Sequence, residues 1–119
     1  MTETTTTKLQ SFDAEVLEKI AAASESYKSQ MKQRNGRSGF DFELWLKFAT
    51  LLVTFEDFLV DAGIEDTQSH DQILRIYMGT ARSTARRHRQ IYNLLHLIPN
   101  AEQYKSWKEL HRAAVAVSN

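Results

Sequence analysis

Apolar residues recur along most of the chain in steps of three and four rather than in alternation, which is the spacing of helices. In the first such segment they form the stripe Leu17, Ile20, Ser24, Tyr27, Met31. One proline and four glycines in 119 residues leave few breaks in the pattern. The sequence therefore predicts an all-α fold, a compact bundle of four or five helices with almost no strand.

Capping residues predict where the first two helices begin. Asp13 can accept hydrogen bonds from the free amides at the start of helix one, and Phe12 before it is placed to pack on the next turn. Asp41 and Phe40 repeat this arrangement at the start of helix two, where Phe40 would contact Trp45. Each pair of residues joins a polar cap to a hydrophobic staple, so both starts carry a specific local signal.

The later boundaries depend on glycine, serine and proline. Gly63 is predicted to end helix two, because glycine readily adopts the left-handed conformation found after helices. Ser69 and Gln72 have the spacing of a capping box, which predicts that Ser69 opens helix three. Pro99 ends that segment, and Asn100 is predicted to cap helix four.

Helix two is apolar on every side, since Lys47 is the only charge between Leu44 and Phe55. Such a helix must be covered around most of its circumference. We therefore expect helix two to be central and buried. Apolar surface that the other short helices leave uncovered predicts a homodimer.

Length and composition indicate one domain. A chain of 119 residues can bury a real core, and residues 12–119 are predicted to form a single helical domain after a disordered tail, residues 1–11. The absence of cysteine excludes disulfides and cysteine-based zinc sites. The amino terminus lacks an apolar core and the longest apolar stretch, 44–60, holds three charged residues. A cytoplasmic protein without a membrane span is expected.

A net charge of zero conceals an uneven distribution. Residues 1–71 hold 13 acids and 7 bases, whereas residues 72–119 hold 2 acids and 8 bases. The 30 residues between Asp71 and Glu102 contain no carboxylate, and the first 18 of them hold five arginines: Arg75, Arg82, Arg86, Arg87 and Arg89. These arginines either pair with acids of helix two and its connector or present a cationic surface to a polyanion.

The arginine segment has two interpretations, and Gly79 decides between them. A turn at 78–80 would separate two helices, 71–77 and 81–95. This arrangement resembles the helix-turn-helix of many bacterial regulators, whose second helix enters the major groove of DNA. The resemblance implies that arginines pair with guanine and that Ser83 meets a phosphate.

Two residues depart from the helix-turn-helix pattern. Arg75 stands four positions before the glycine, where a small residue lets the helices cross tightly, and His88 stands where an apolar residue should face the core. The alternative is one continuous helix, because a glycine inside a helix costs only about 1 kcal/mol relative to alanine. On that helix Arg82, Arg86 and Arg89 would form a cationic ridge that binds phosphate electrostatically.

The candidate residues for binding nucleic acid or another anionic partner are Arg75, Arg82, Ser83, Arg86, Arg87 and Arg89. The four histidines lack metal-site spacing, and no cofactor motif occurs, so a non-enzyme without metal or cofactor is predicted. No small-molecule substrate is indicated. The sequence predicts a regulatory or accessory protein that binds DNA or RNA. The alternative is a protein-interaction module or assembly subunit that docks on an acidic protein surface, including that of its own partner chain.

Overall fold

The computed structural model describes residues 14–35, 40–64 and 66–118, and the regular elements in these ranges are all helical. Its five α-helices are α1 (Ala14–Asn35), α2 (Phe42–Asp61), α3 (Thr67–Met78), α4 (Arg82–Leu94) and α5 (Trp107–Ser118). Two 3-10 turns, Leu95–Leu97 and Ala101–Gln103, join α4 to α5. The predicted all-α class is confirmed, in a compact body of 44 × 33 × 19 Å.

Several predictions about the amino-terminal part fall outside the described residues. They are the tail 1–11, the staple residue Phe12 and the cap Asp13. The helix itself spans Ala14–Asn35.

The start of α2 has the predicted cap and staple. The Asp41 side chain accepts a hydrogen bond from the Leu44 amide at 3.0 Å. The Phe40 ring lies 6.5 Å, centroid to centroid, from the ring of Trp45. Both predictions for this helix start are confirmed, which shows that local signals sufficed here.

The connection from α2 to α3 confirms one prediction and corrects another. Gly63 follows α2 with a φ of 81°, the left-handed conformation expected of it. Ser69 does not open α3. Asp66 is the cap, and its carboxylate accepts from the amide and the hydroxyl of Ser69 at 3.0 and 2.9 Å. A carboxylate is a stronger acceptor than a hydroxyl. Asp66, three residues before Ser69, therefore caps the helix in place of the predicted Ser69–Gln72 capping box.

The start of the last helix also differs from the prediction. Asn100 adopts a left-handed conformation with a φ of 56° and makes no side-chain cap bond. A residue in that conformation cannot take the extended backbone of a cap. The cap forms further on, where the Ser106 hydroxyl accepts from the Glu109 amide at 3.2 Å and α5 begins at Trp107.

Gly79 breaks the arginine segment into two helices, so the continuous-helix alternative is wrong. Its φ is 58°, and its amide donates to the Leu74 carbonyl. The Lys28 ammonium group of α1 donates to the Gly79 carbonyl. On the other side of the turn, an Asp71 carboxylate oxygen accepts from the Arg82 amide at 2.8 Å, which satisfies a free donor at the start of α4.

The core consists of two clusters of buried apolar residues that share α2. Phe48, Leu52 and other residues of α2 pack with α1 and α3 in the first cluster. Trp45 and Ala49 of α2 pack with α4 and α5 in the second. The half-buried Met31 of α1 contacts both clusters. The apolar stretch that the sequence singled out therefore contributes to the whole interior.

The left-handed turn at Gly79 predicts an order of stability for proteins with different residues at this position. Gly79→Ala is expected to lower the free energy of unfolding by about 1 kcal/mol, because alanine adopts the left-handed conformation only with strain. A Cβ atom there would also lie 2.8 Å from the flexible Lys28 ammonium group. Gly79→Asn should be milder, since asparagine tolerates this conformation.

Urea denaturation of the three proteins measures this order, which should be glycine above asparagine above alanine. In a continuous helix the order would be reversed, with alanine the most stable because it is the best helix former. A stabilising Gly79→Ala substitution would therefore contradict the broken segment.

Candidate functional site

One side of α4 faces solvent with polar residues only. A groove of about 640 Å³ runs along this side, and we call it the arginine groove. It is lined by Ser83, Arg86, Arg87, Arg89, Gln90, Asn93 and His111. Four of the six residues predicted from sequence therefore lie together, while Arg75 and Arg82 lie outside the groove. Its lining contains no carboxylate.

Arg89 is held by acids of α2 and belongs to a buried network. Its guanidinium group lies 3.0 Å from an Asp57 oxygen and 3.4 Å from a Glu56 oxygen. Glu56 is only 6% exposed and its other oxygen lies 3.1 Å from His70 Nε2. Burial lowers the pKa of Arg89, but the bonds to Asp57 and Glu56 outweigh this effect and the pKa is raised. The Arg89 side chain therefore stabilises the fold through its contacts with α2.

Arg75 is paired within its own helix. Its Nε donates to an Asp71 oxygen at 2.8 Å, one helical turn away. The Arg82 amide and the Arg75 side chain together hold the pKa of Asp71 below its usual value. The predicted neutralisation of arginines by acids of the first half of the chain is thus present for Arg75 and Arg89.

The remaining arginines are Arg82, Arg86 and Arg87, and none forms an ion pair with any residue that the structure describes. Arg86 and Arg87 are exposed, whereas Arg82 is half-buried at the start of α4. The ridge predicted for a continuous helix is therefore interrupted at Arg89. The cationic surface that remains is centred on Arg86 and Arg87.

Two groove residues were not singled out by the sequence. The Nε2 atom of His111, in α5, lies 2.9 Å from the amide oxygen of Gln90. Burial, and then the charge of Arg87, lower the pKa of His111. A neutral His111 can donate to the amide oxygen, which leaves the Gln90 NH₂ group to donate elsewhere. Gln90 lies one turn after Arg86, a spacing that could have indicated it, but no local signal places His111 beside them.

The two departures from the helix-turn-helix pattern have structural explanations. The Arg75 side chain is 62% exposed, so it points away from the interior. His88 is buried, and its Nδ1 lies 3.0 Å from the indole nitrogen of Trp45. Burial, followed by the charges of Lys28 and His111, lowers the pKa of His88 from 6.5 to about 4. His88 is therefore neutral at pH 7 and occupies an interior position as an uncharged ring.

Arg89 and Arg86 should differ in what they contribute to stability. Arg89→Ala is expected to lower the free energy of unfolding by about 1–3 kcal/mol, because it leaves the buried Glu56 with one partner fewer. Arg86→Ala removes an exposed side chain without an ion pair and should stay within about 0.5 kcal/mol of the original protein. Urea denaturation near neutral pH measures both.

A second substitution tests the cause of this difference. Glu56→Gln in the Arg89→Ala background should recover part of the loss, because it removes the buried charge that has lost Arg89 as a partner. Equal stability losses for Arg89→Ala and Arg86→Ala would show that the Arg89 contacts are not part of the core.

His88 should make stability depend on pH between about 6.5 and about 4. In this range the unfolded chain binds a proton that the folded chain excludes, so the contribution is complete above the unfolded pKa and is lost as the pH falls. The full loss is about 3 kcal/mol, at about 1.4 kcal/mol for each pKa unit.

His88→Gln retains an acceptor for the Trp45 indole and should remove this part of the pH dependence. Urea denaturation of both proteins at several pH values between neutrality and pH of about 5 tests this expectation. If the variant loses stability with acid as steeply as the original protein, then His88 is not the titrating group.

Neither a protein-family model nor a curated protein nor a solved structure matches the chain. In the ranges that the structure describes, no cluster of three or more potential ligands could hold a metal ion. No helix in these ranges has the length and apolar character needed to cross a membrane. Among the candidate residues predicted from sequence, Arg86 and Arg87 are exposed in the arginine groove and form no ion pair with the described residues.

Proposed function

We propose that this is a small, non-enzymatic binding protein whose α4 contacts a polyanion, DNA or RNA, in a regulatory or accessory role in the cytoplasm. The observation that carries the proposal is the pair Arg86 and Arg87. Both side chains are exposed beside the arginine groove without an ion-pair partner among the described residues. Guanidinium groups bind phosphate oxygens through paired hydrogen bonds, so free arginines facing solvent suit this partner.

The chemistry of the exposed face supports nucleic acid. Its side chains recur at steps of three, one, three and three, which places them on one helical face: Ser83, Arg86, Arg87, Gln90 and Asn93. Arginine, glutamine and asparagine are the side chains that pair with base edges, and serine contacts phosphates. An α4 of 13 residues is about 20 Å long. An α-helix with its side chains is about 10–12 Å in diameter, which fits the major groove of DNA, about 12 Å wide.

The order of elements supports the same proposal. A helix, a left-handed glycine turn and a second helix resemble the helix-turn-helix that the sequence suggested, with α4 in the place of the recognition helix. His88 fills the interior position of that helix as a neutral ring, while Arg86 and Arg87 face outward.

We further propose that α2 is the central helix and that the protein is a homodimer. α2 supplies residues to both core clusters, which supports a central position. Large apolar side chains remain exposed outside the core, and Ile76 of α3 is 70% exposed. A pair of recognition helices in a dimer would contact two half-sites of DNA. Sedimentation at micromolar concentration tests the dimer independently of nucleic-acid binding, and a mass of one chain would exclude it.

Fluorescence anisotropy with mixed-sequence duplex and single-stranded oligonucleotides tests the main proposal. The original protein should bind at low salt and weaken as salt rises, because phosphate neutralisation releases counterions. The double variant Arg86→Glu, Arg87→Glu should bind at least about tenfold more weakly. The slope of its log affinity against log salt concentration should fall by the amount that corresponds to about two phosphate contacts.

A matched control makes the same change in net charge elsewhere. Lys19 and Lys47 are exposed on α1 and α2, and neither lines the arginine groove. Lys19→Glu, Lys47→Glu should retain most of the affinity. Equal losses of affinity in the two double variants would show that net charge determines binding, and would contradict the proposal that the arginine groove is the binding site. Absence of binding to both oligonucleotides would refute nucleic-acid recognition and favour docking on an acidic protein.

A further inference from the structure

A second cavity lies on the opposite side of α4. It has a volume of about 460 Å³ and is bounded by α1, the turn at Gly79, α2, α4 and the start of α5. Its walls are aromatic, formed by Trp45, Phe48, His88 and Trp107, and we call it the aromatic cleft. Sites for small molecules are concave, mostly apolar and typically about 300–1,000 Å³ in volume.

The rings of the aromatic cleft are grouped around His88. The centroid of Trp107 lies 4.4 Å from that of His88, and the centroid of Phe48 lies 5.7 Å from it. Trp107 is half-buried and so remains accessible from the cleft. Flat aromatic walls favour a ligand that is itself a planar ring, since offset or edge-on contacts between rings add to the burial of apolar area.

One ring nitrogen of His88 is available to a ligand. The indole nitrogen of Trp45 can only donate, so Nδ1 of His88 must be the acceptor and the proton of the neutral ring lies on Nε2. Among the described residues no side-chain nitrogen or oxygen is both buried and without a partner. Nε2 makes no hydrogen bond to these residues, so it is not fully buried, and as an N–H donor on a residue that lines the cleft it is available to a ligand there.

The charge at the cleft is positive. Lys28 and Lys32 of α1 are among its lining residues, which include no carboxylate. The Lys28 ammonium group is positioned by the Gly79 carbonyl and lies 3.5 Å from the Met78 carbonyl. The exposed Lys32 lies one turn further along the same helix. The cleft thus combines an apolar interior with an N–H donor and two cations.

We propose that the aromatic cleft is a binding site for a small planar aromatic carboxylate. The ring of the ligand packs against Trp107 and His88, and its carboxylate accepts hydrogen bonds from His88 Nε2 and from the lysines of α1. This site is separate from the arginine groove, because Thr84 and His88 line the cleft whereas Ser83 and Arg87 line the groove.

The two tryptophans of the chain both line the cleft, so their indole N–H signals in a nitrogen–proton correlation spectrum report on it directly. Titration with 2-naphthoate should shift both signals until they saturate. The uncharged 2-naphthamide, which has the same ring system, should bind at least about fivefold more weakly, because it lacks the charge that the lysines recognise.

Lysine variants test the charge recognition. Lys28→Met and Lys32→Met should each reduce the preference for naphthoate over naphthamide, and Lys47→Met, which lies outside the cleft, should leave it unchanged. Lys32 makes no hydrogen bond to the described residues, so its variant is informative even if Lys28→Met perturbs the Gly79 turn. Arg86→Glu, Arg87→Glu should leave the indole shifts intact, which excludes binding in the arginine groove.

Three outcomes would overturn the proposal. The first is the absence of saturable shifts in the indole signals. The second is equal affinity for naphthoate and naphthamide, which would indicate apolar adsorption alone. The third is a loss of preference in Lys47→Met as large as that in Lys32→Met.

Discussion

The left-handed turn at Gly79 is the constraint on which both sides of α4 depend. If the helix continued through residue 79, α4 would extend α3 in the same direction and could not pack against α2 and α5 as it does. The turn is fixed from two sides, by the Lys28 ammonium group of α1 and by the Asp71 carboxylate at the first amide of α4. Its position therefore depends on tertiary contacts as well as on glycine. The direction that it gives α4 places His88 inside and Arg86 outside.

The distribution of acids then decides which arginines serve the fold. Glu56 is buried, and a buried carboxylate without partners is costly, so Arg89 and His70 are needed beside it. An exposed arginine carries no comparable penalty, because water solvates it. Arg86 and Arg87 can therefore stand without acidic partners, and the fold loses little by leaving them free. The unequal halves of the sequence are neutralised only in part, at Arg89 beside the buried Glu56 and at Arg75 through Asp71 of the same helix.

Local signals in the sequence predicted the helices well where a cap and its contact lie within a few residues. Asp41 with Phe40, and Gly63, were recognisable for that reason. Ser69 was misjudged because two acceptors competed for one helix start and the carboxylate of Asp66 is the stronger. Asn100 failed as a cap because its backbone is left-handed, a conformation set by the connection between α4 and α5.

The candidate sites were less predictable, because their contacts join distant parts of the chain. A glycine costs a helix only about 1 kcal/mol, so the sequence could not decide whether residue 79 breaks it, whereas contacts from Lys28 and Asp71 could. Arg89 meets Glu56 across 33 residues of sequence, and no spacing rule distinguishes it from Arg86.

His88 shows how one interior position links the two sides of α4. In the sequence His88 departs from the helix-turn-helix pattern, because it is a titratable residue at a position where an apolar residue should face the core. Burial, followed by the charges of Lys28 and His111, lowers the pKa of His88 and keeps the ring uncharged, which lets it pack among aromatic rings as an apolar residue would. The bond to Trp45 fixes the remaining proton on Nε2, and His88 lines the aromatic cleft. A leucine at this position would leave the buried indole N–H of Trp45 without an acceptor, so the bond to Trp45 by itself favours a polar acceptor such as histidine here.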